Sequence, residues 1–250
     1  MTGALAASLA EAGIVSALVV VLALPAVRGP RRWLVPVAGV VTFLSAFATK
    51  WPAFRGSPLA LIGGNWNWSG KLVDLAVLTL IAGLFVAVRL FTRDEIGLTS
   101  KQRAGTGKVI LFFVLPLLIV YGVLVWKLAG HEAFSLETFA FELTMPGFTE
   151  ELMFRGLLLA LFDRMFAPRW SLFGAPVGYG ALATAVMFGA VHVVNVGRSL
   201  HPEFDVMAGI GPFIGGLILV WLRARTGSLV VPILGHNIAN TLEVVIPPLL

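Results

Sequence analysis

Cysteine is absent from the 250 residues. No disulfide, thiolate zinc site, iron–sulfur cluster or thiol nucleophile can therefore contribute to this protein. Charge is scarce as well. Asp, Glu, Lys and Arg make up 12% of the chain, about half the share usual in soluble domains. Too few charges remain to coat a soluble surface or to keep a disordered chain expanded, which excludes both classes. Acidic groups are the scarcer sign, 13 against 18 basic ones, for a formal net charge of +5. In a soluble protein such an excess would suggest nucleic acid. Here the basic residues lie between apolar runs, the pattern of membrane topology signals and of contacts with anionic lipid, so no nucleic-acid partner is expected. What the chain has in quantity is apolar side chains, 58%. A membrane span needs about 20 such residues. The expected fold is all-α: a polytopic membrane helix bundle of about eight transmembrane helices, forming one integral membrane domain over 1–250.

Eight apolar segments run roughly over 5–27, 33–49, 71–91, 109–129, 139–163, 179–197, 204–222 and 228–248. Pro116, Pro146, Pro212 and Pro232 each predict a kink or break. No Lys or Arg precedes Arg28, so the first segment lacks the positive start of a cleavable leader and reads as an anchor with its N-terminus outside. With that orientation the cytoplasmic loops hold twelve Lys and Arg and the outer loops five, Lys50, Arg55, Lys71, Lys127 and Arg198, a usable positive-inside bias. All seven Trp fall near segment ends, where amphipathic indoles prefer to sit. The stretch from Pro52 to Gly70 is too long for a tight hairpin and reads as a re-entrant or interfacial loop. Richness in Gly, Ala and Val with compact loops points to a bacterial or archaeal cytoplasmic membrane.

Ionisable groups inside apolar spans cost about 2.5–3.5 kcal/mol each at a helix centre, so they mark candidate sites. The fifth segment carries Glu150, Glu151 and Arg155. Adjacent residues on a helix point about 100° apart, whereas Glu151 and Arg155 stack on one face in the favourable acid-before-base order. Arg155 is thus expected to neutralise Glu151. Glu150 is left without a partner in its own helix and near the midplane, where a carboxylate in low dielectric suits a general base. The sixth segment carries His192 with Asn195 three residues on, and the eighth carries His236 with Asn240 four residues on; each pair shares a helical face. Each group taken alone also fits ion-paired or hydrogen-bonded packing between helices. Together they supply a base, a water-orienting group and oxyanion donors, the parts of a hydrolase site. Asp74, alone in the third segment, reads as a helix-end or packing group.

The order Glu-Glu-x-x-x-Arg (150–155), Phe-x-x-x-His (188–192) and His-x-x-x-Asn (236–240) resembles the CPBP (CAAX protease and bacteriocin-processing, or Abi) family of intramembrane proteases, which includes the type II CAAX prenyl endopeptidase. The resemblance covers 139–250; residues 1–138 add only a compatible hydropathy pattern, as variable helices in which selectivity can lie. It implies an intramembrane glutamate-dependent peptidase. Glu150 is then the general base, His192 helps hold the attacking water, His236 and Asn240 stabilise the oxyanion, and Glu151 with Arg155 supports them. Asn195 is a less defining companion. No cofactor is implied and no metal site, with a divalent metal kept as an alternative. The implied partner is a membrane-anchored or lipidated peptide within the lipid bilayer. Other protease patterns fail: His131-Glu132 lacks the second His of a zinc motif, and Asn67-Trp68-Ser69-Gly70 lacks the first Gly of the rhomboid type. A non-proteolytic immunity or scaffold protein and a proton-coupled transporter remain as alternatives.

Overall fold

The computed structural model describes residues 2–250. Eight helices follow in order: α1 Thr2–Ala23, α2 Leu34–Ala53, α3 Trp68–Ala87, α4 Thr106–Leu128, α5 over 136–165, α6 Tyr179–Val193, α7 Val206–Thr226 and α8 Val230–Val245. Side chains start three of them. Asn67 accepts from the N–H of Gly70, Ser135 from Thr138, and Asp205 from both Met207 and Ala208, each satisfying N–H groups that a helix start leaves unpaired. Gly227 ends α7 in the left-handed conformation at φ 80°, where glycine avoids the Cβ penalty.

Each apolar segment forms a helix, but six rather than eight are long and apolar enough to cross a membrane: α1 to α4, α7, and α8 with its tail to Leu249. The two others depart for physical reasons. The sixth segment gives only 15 helical residues, because Val194–Val196 leaves the helix as a strand paired with Pro202–Phe204. The fifth is helical throughout but carries too many charges. It changes winding partway: an α-helix over Leu136–Glu150, a π-helix over Glu151–Leu158, and an α-helix again over Leu159–Met165. The largely helical architecture agrees with the composition. A second short hairpin, Trp170–Leu172 with Ala175–Val177, was not expected.

Proline acts less sharply than its chemistry suggests. In α4 a π-turn over Ile110–Val114 precedes Pro116. Pro212 lies within an uninterrupted α7, and Pro232 falls in the first turn of α8, where a missing N–H costs little.

α5 is the central helix. Every residue from Glu151 to Phe162 is buried, and Leu152, Phe154, Leu157, Leu158 and Leu161 join one apolar core with α1, α2, α3 and α6. α1 packs on α2, and both helices bury small residues, Ala4, Ala7, Ser8 and Ala12 on one and Ala38, Ser45 and Ala48 on the other, which suits close backbone approach. A Cβ at Gly39 would stand 2.9 Å from Val20 Cγ2. α4 is the least buried span and faces outward with Leu111, Phe112, Ile119 and Val120 exposed. Its polar tie to α8 is a hydrogen bond from the Tyr121 hydroxyl to Glu243.

The connections gather on two faces. On one, the α1–α2, α3–α4, α5–α6 and α7–α8 junctions are bonded to each other. Arg31 donates to the Arg164 carbonyl; Arg164 donates to the Leu90 carbonyl and pairs with Glu95; Arg223 donates to the carbonyls of Asp94 (3.2 Å) and Glu95 (2.9 Å); Arg225 donates to Ala104. On the other, the loop before α3 is latched to the start of α5. Asn65 and Trp68 donate to Glu137, and Trp66 and Trp68 flank Phe141 with ring centroids 4.9 and 5.1 Å away. This loop holds turns and exposed residues, with no helix between α2 and α3 to make a re-entrant pair.

Candidate active site

The change from α to π winding in α5 falls between the two adjacent carboxylates. π-turns are rare and often mark functional positions. The two acids have different surroundings. Glu151 is wholly buried: Arg155 Nη1 lies 2.9 Å from its Oε1, and His236 Nδ1 lies 2.8 Å from the same oxygen. Glu150 keeps 19% of its side chain exposed; its Oε1 lies 2.6 Å from Lys71 Nζ on α3, and its Oε2 lies 3.8 Å from His236 Nε2 on α8. Glu151–Arg155 is the pair the i,i+4 spacing predicts. Lys71 was not expected. It was read as an outer-loop residue but lies in the first turn of α3.

Two carboxylates thus face two cations, Lys71 and Arg155, so the cluster carries no net charge with His236 neutral. Buried charges persist only when paired in this way. The Arg155 guanidinium lies 4.1 Å above the ring of Phe188, a cation–π contact that helps to hold a group whose Nε and Nη2 have no hydrogen-bond partner. Phe188 also meets both imidazoles edge-on, His192 at 5.1 Å and His236 at 5.8 Å between centroids. It is the apolar hub that joins α5, α6 and α8.

The imidazole bonds fix tautomers. His236 Nδ1 donates to Glu151, which turns Nε2 toward Glu150. His192 Nδ1 donates to the Phe188 carbonyl at 2.7 Å, which leaves its Nε2 free. His192 is exposed, next to last in α6.

Asn240 and Asn195 have other partners. Asn240 Nδ2 donates to Glu142 Oε2 at 2.8 Å, two turns before Glu150 on α5. Asn195 does not share a face with His192, because α6 ends at Val193. It accepts from Lys50 Nζ at 2.6 Å, beside a Lys50–Glu11 ion pair. Asp74 is buried on α3, in the packing position expected for it, with Ser45 and Thr49 of α2 alongside.

One residue beside a motif was overlooked. Pro146 removes a backbone N–H from α5 and disturbs its hydrogen bonds. Asn237, 3% exposed, repairs the break: its Oδ1 accepts from the Gly147 N–H at 2.7 Å, and its Nδ2 donates to the Thr144 carbonyl at 3.2 Å. Polar side chains of neighbouring helices commonly satisfy backbone groups freed in this way. The approach is close enough that a Cβ on Gly147 would stand 2.9 Å from the Ile233 carbonyl. Asn237 thereby sets α8, and so His236, against α5. The sequence shows the Pro-Gly pair within the segment, but not that Asn237, 90 positions on, meets it.

Among the described residues no three His, Asp or Glu side chains come together as a metal-ligand set. The cations already at both carboxylates would oppose a further one.

No curated protein and no solved structure matches the chain. Residues 132–242 match the family model described as Type II CAAX prenyl endopeptidase Rce1-like. That segment holds Glu150, Glu151, Arg155, His192, His236 and Asn240, and over it the chain is similar to the CAAX prenyl endopeptidases; α1 to α4, with Lys71, lie outside the match.

Proposed function

We propose that the chain is a member of that family and acts as an intramembrane endopeptidase, hydrolysing a peptide bond of a membrane-anchored or lipidated substrate with Glu150 as general base. The observation that carries this reading is the position of Glu150. It is the acid of the central cluster with an oxygen facing His236 Nε2 across 3.8 Å while keeping 19% of its side chain exposed. Two acceptors at that separation can share one water molecule, each taking one of its hydrogens.

In the reaction, Glu150 Oε2 takes a proton from that water as its oxygen attacks the peptide carbonyl carbon. His236 Nε2 and the open His192 Nε2 orient the water. The carbonyl π-pair becomes an oxyanion, stabilised by the Asn240 amide through the Nδ2 hydrogen that Glu142 does not take. When the tetrahedral intermediate collapses, the C–N bond breaks and the proton held by Glu150 passes to the leaving amine. Glu151 and Arg155 do not touch substrate in this scheme; they fix His236 in the tautomer that faces Glu150. Lys71 holds the second oxygen of Glu150 and so fixes its carboxylate plane. A substrate segment must be unwound at the scissile bond, because a helical carbonyl is already bonded.

A proton relay fits less well. The polar chain from Lys71 through Glu150 and His236 ends at Glu151 and Arg155. Beyond it, α5 continues toward the basic face as buried apolar residues, with no titratable group before Asp163.

The test compares N- and C-termini across the membrane proteome of cells carrying the wild-type chain or Glu150→Gln. A terminus that arises only with the wild type identifies a substrate and supports proteolysis. Identical termini with both chains folded would overturn the reading in favour of an immunity or scaffold role.

A further inference from the structure

Glu150 lies halfway along α5, but the groups around it open toward one face of the bundle. Lys71 lies in the first turn of α3, and His192 is next to last in α6. Both helix ends belong to the face that carries Lys50, the latched 54–67 loop and the 194–204 hairpin. On that face Arg198 donates to the Arg55 carbonyl, which ties the hairpin to the loop after α2. His192 is exposed, and Glu150 and Lys71 retain 19% and 13% of their side-chain surface. Toward the opposite face the path is blocked. Leu152, Met153, Leu157, Leu158, Leu161 and Phe162 of α5 are all buried. Beyond them the four junctions are closed by the arginine-to-carbonyl bonds of Arg31, Arg164, Arg223 and Arg225.

The same two faces divide the charge. Twelve of the 18 Lys and Arg belong to the closed face and its helix ends, and five to the open one; Arg155 is internal. Excess Lys and Arg in short loops marks the cytoplasmic side. These two observations are independent: one concerns where the polar cluster opens, the other which side each loop occupies.

We propose that the site takes water and substrate from the non-cytoplasmic side of the membrane. This rests on the proteolytic reading above and narrows it. The substrate is an anchored polypeptide whose scissile bond lies in or at the outer leaflet, such as a chain already translocated, and not one whose cleavable end lies in the cytoplasm.

Because the chain contains no cysteine, single-cysteine variants read accessibility without background. Ser199→Cys reports the open face, Gln102→Cys the basic face, and His192→Cys the site; Asn240→Cys, at a half-buried position on α8, is the second probe should His192→Cys fail to fold. Intact cells are treated with a membrane-impermeant maleimide, then compared with permeabilised cells. The expected result is labelling of the Ser199, His192 and Asn240 variants in intact cells, and of the Gln102 variant only after permeabilisation. Labelling of Gln102→Cys in intact cells, or of the site variants only when Gln102→Cys is also reached, would overturn the proposal. Labelling needs no turnover, so a chain that fails to cleave any substrate but labels as expected would sink the proteolytic reading alone, whereas cleavage with the opposite labelling would sink only the side.

Discussion

The inner and outer halves of the polar cluster differ in how far they are shut away from the surface. The inner half, Glu151, Arg155 and the Nδ1 side of His236, is enclosed, and its bonds run among its own members and onto the ring of Phe188. The outer half, Glu150, Lys71, His192 and the Nε2 side of His236, has access to the surface and acceptor positions that no protein donor fills. Two neighbouring glutamates in one helix therefore have different work. One is part of the scaffold that sets the imidazole; the other is available to a reacting molecule. His236 joins the halves, since the bond that orders one nitrogen determines what the other offers.

Removing the inner cation should give the largest stability change. Arg155→Ala leaves Glu151 buried without its counter-charge, which costs about 3–5 kcal/mol; thermal unfolding in detergent should show a large drop, and unchanged melting would break the division between halves. Asn237→Ala should come next. It exposes the unmet Gly147 N–H and Thr144 carbonyl to an apolar interior, at about 1–3 kcal/mol for each buried group left unpaired, and loosens His236 from α5. Both melting and cleavage rate should fall, and a loss of rate with full stability would instead place Asn237 in contact with substrate.

Lys71 sharpens the comparison on the outer side. Lys71→Met should lower the cleavage rate about ten- to a hundredfold, the worth of one charge-assisted hydrogen bond at about 1.5–3 kcal/mol, while Lys71→Arg retains most of it. Equal rates for both variants and wild type would remove Lys71 from the site. The smallest effect is expected far from the cluster, at Glu95 on the basic face. Partial burial pushes its carboxyl up, but bonds from the Thr92 N–H and hydroxyl and the Arg164 guanidinium outweigh this and hold it below the usual carboxylate range. A carboxyl lowered by folding stabilises the native chain above its unfolded pKa, and that contribution is lost as pH falls through the folded value. Glu95→Gln should flatten the acid side of the stability profile slightly, since exposed pairs contribute little.

The sequence made different parts of this visible for different reasons. Hydropathy is a property of composition, so all eight apolar segments were legible and all form helices. It does not distinguish a helix from a buried strand over a short apolar run, which is why Val194–Val196 was assigned to the sixth helix and Asn195 to the face of His192. Glu151 with Arg155 was legible because their contact is local and follows from helical periodicity. Lys71 with Glu150 was not, because the pair joins positions 79 apart on different helices and no local pattern encodes it. The Glu142–Asn240 bond, 98 positions apart, was hidden for the same reason. The π-winding after Glu150 leaves no mark in the sequence; it arises from how α5 packs at the centre of the bundle.

The most direct measurement takes one cleaved substrate and determines rate and melting temperature together for Glu150→Gln in reconstituted membranes. The substitution keeps the side chain's shape and removes its capacity to take a proton. General-base catalysis contributes about 10²–10⁴-fold, so the account predicts a fall in cleavage rate of that order in a chain that stays folded, with a smaller drop in melting than Arg155→Ala gives, because Lys71 loses its counter-charge but keeps part of its surface. Cleavage retained at the wild-type rate would contradict it, because Glu150 would then be one more member of the scaffold.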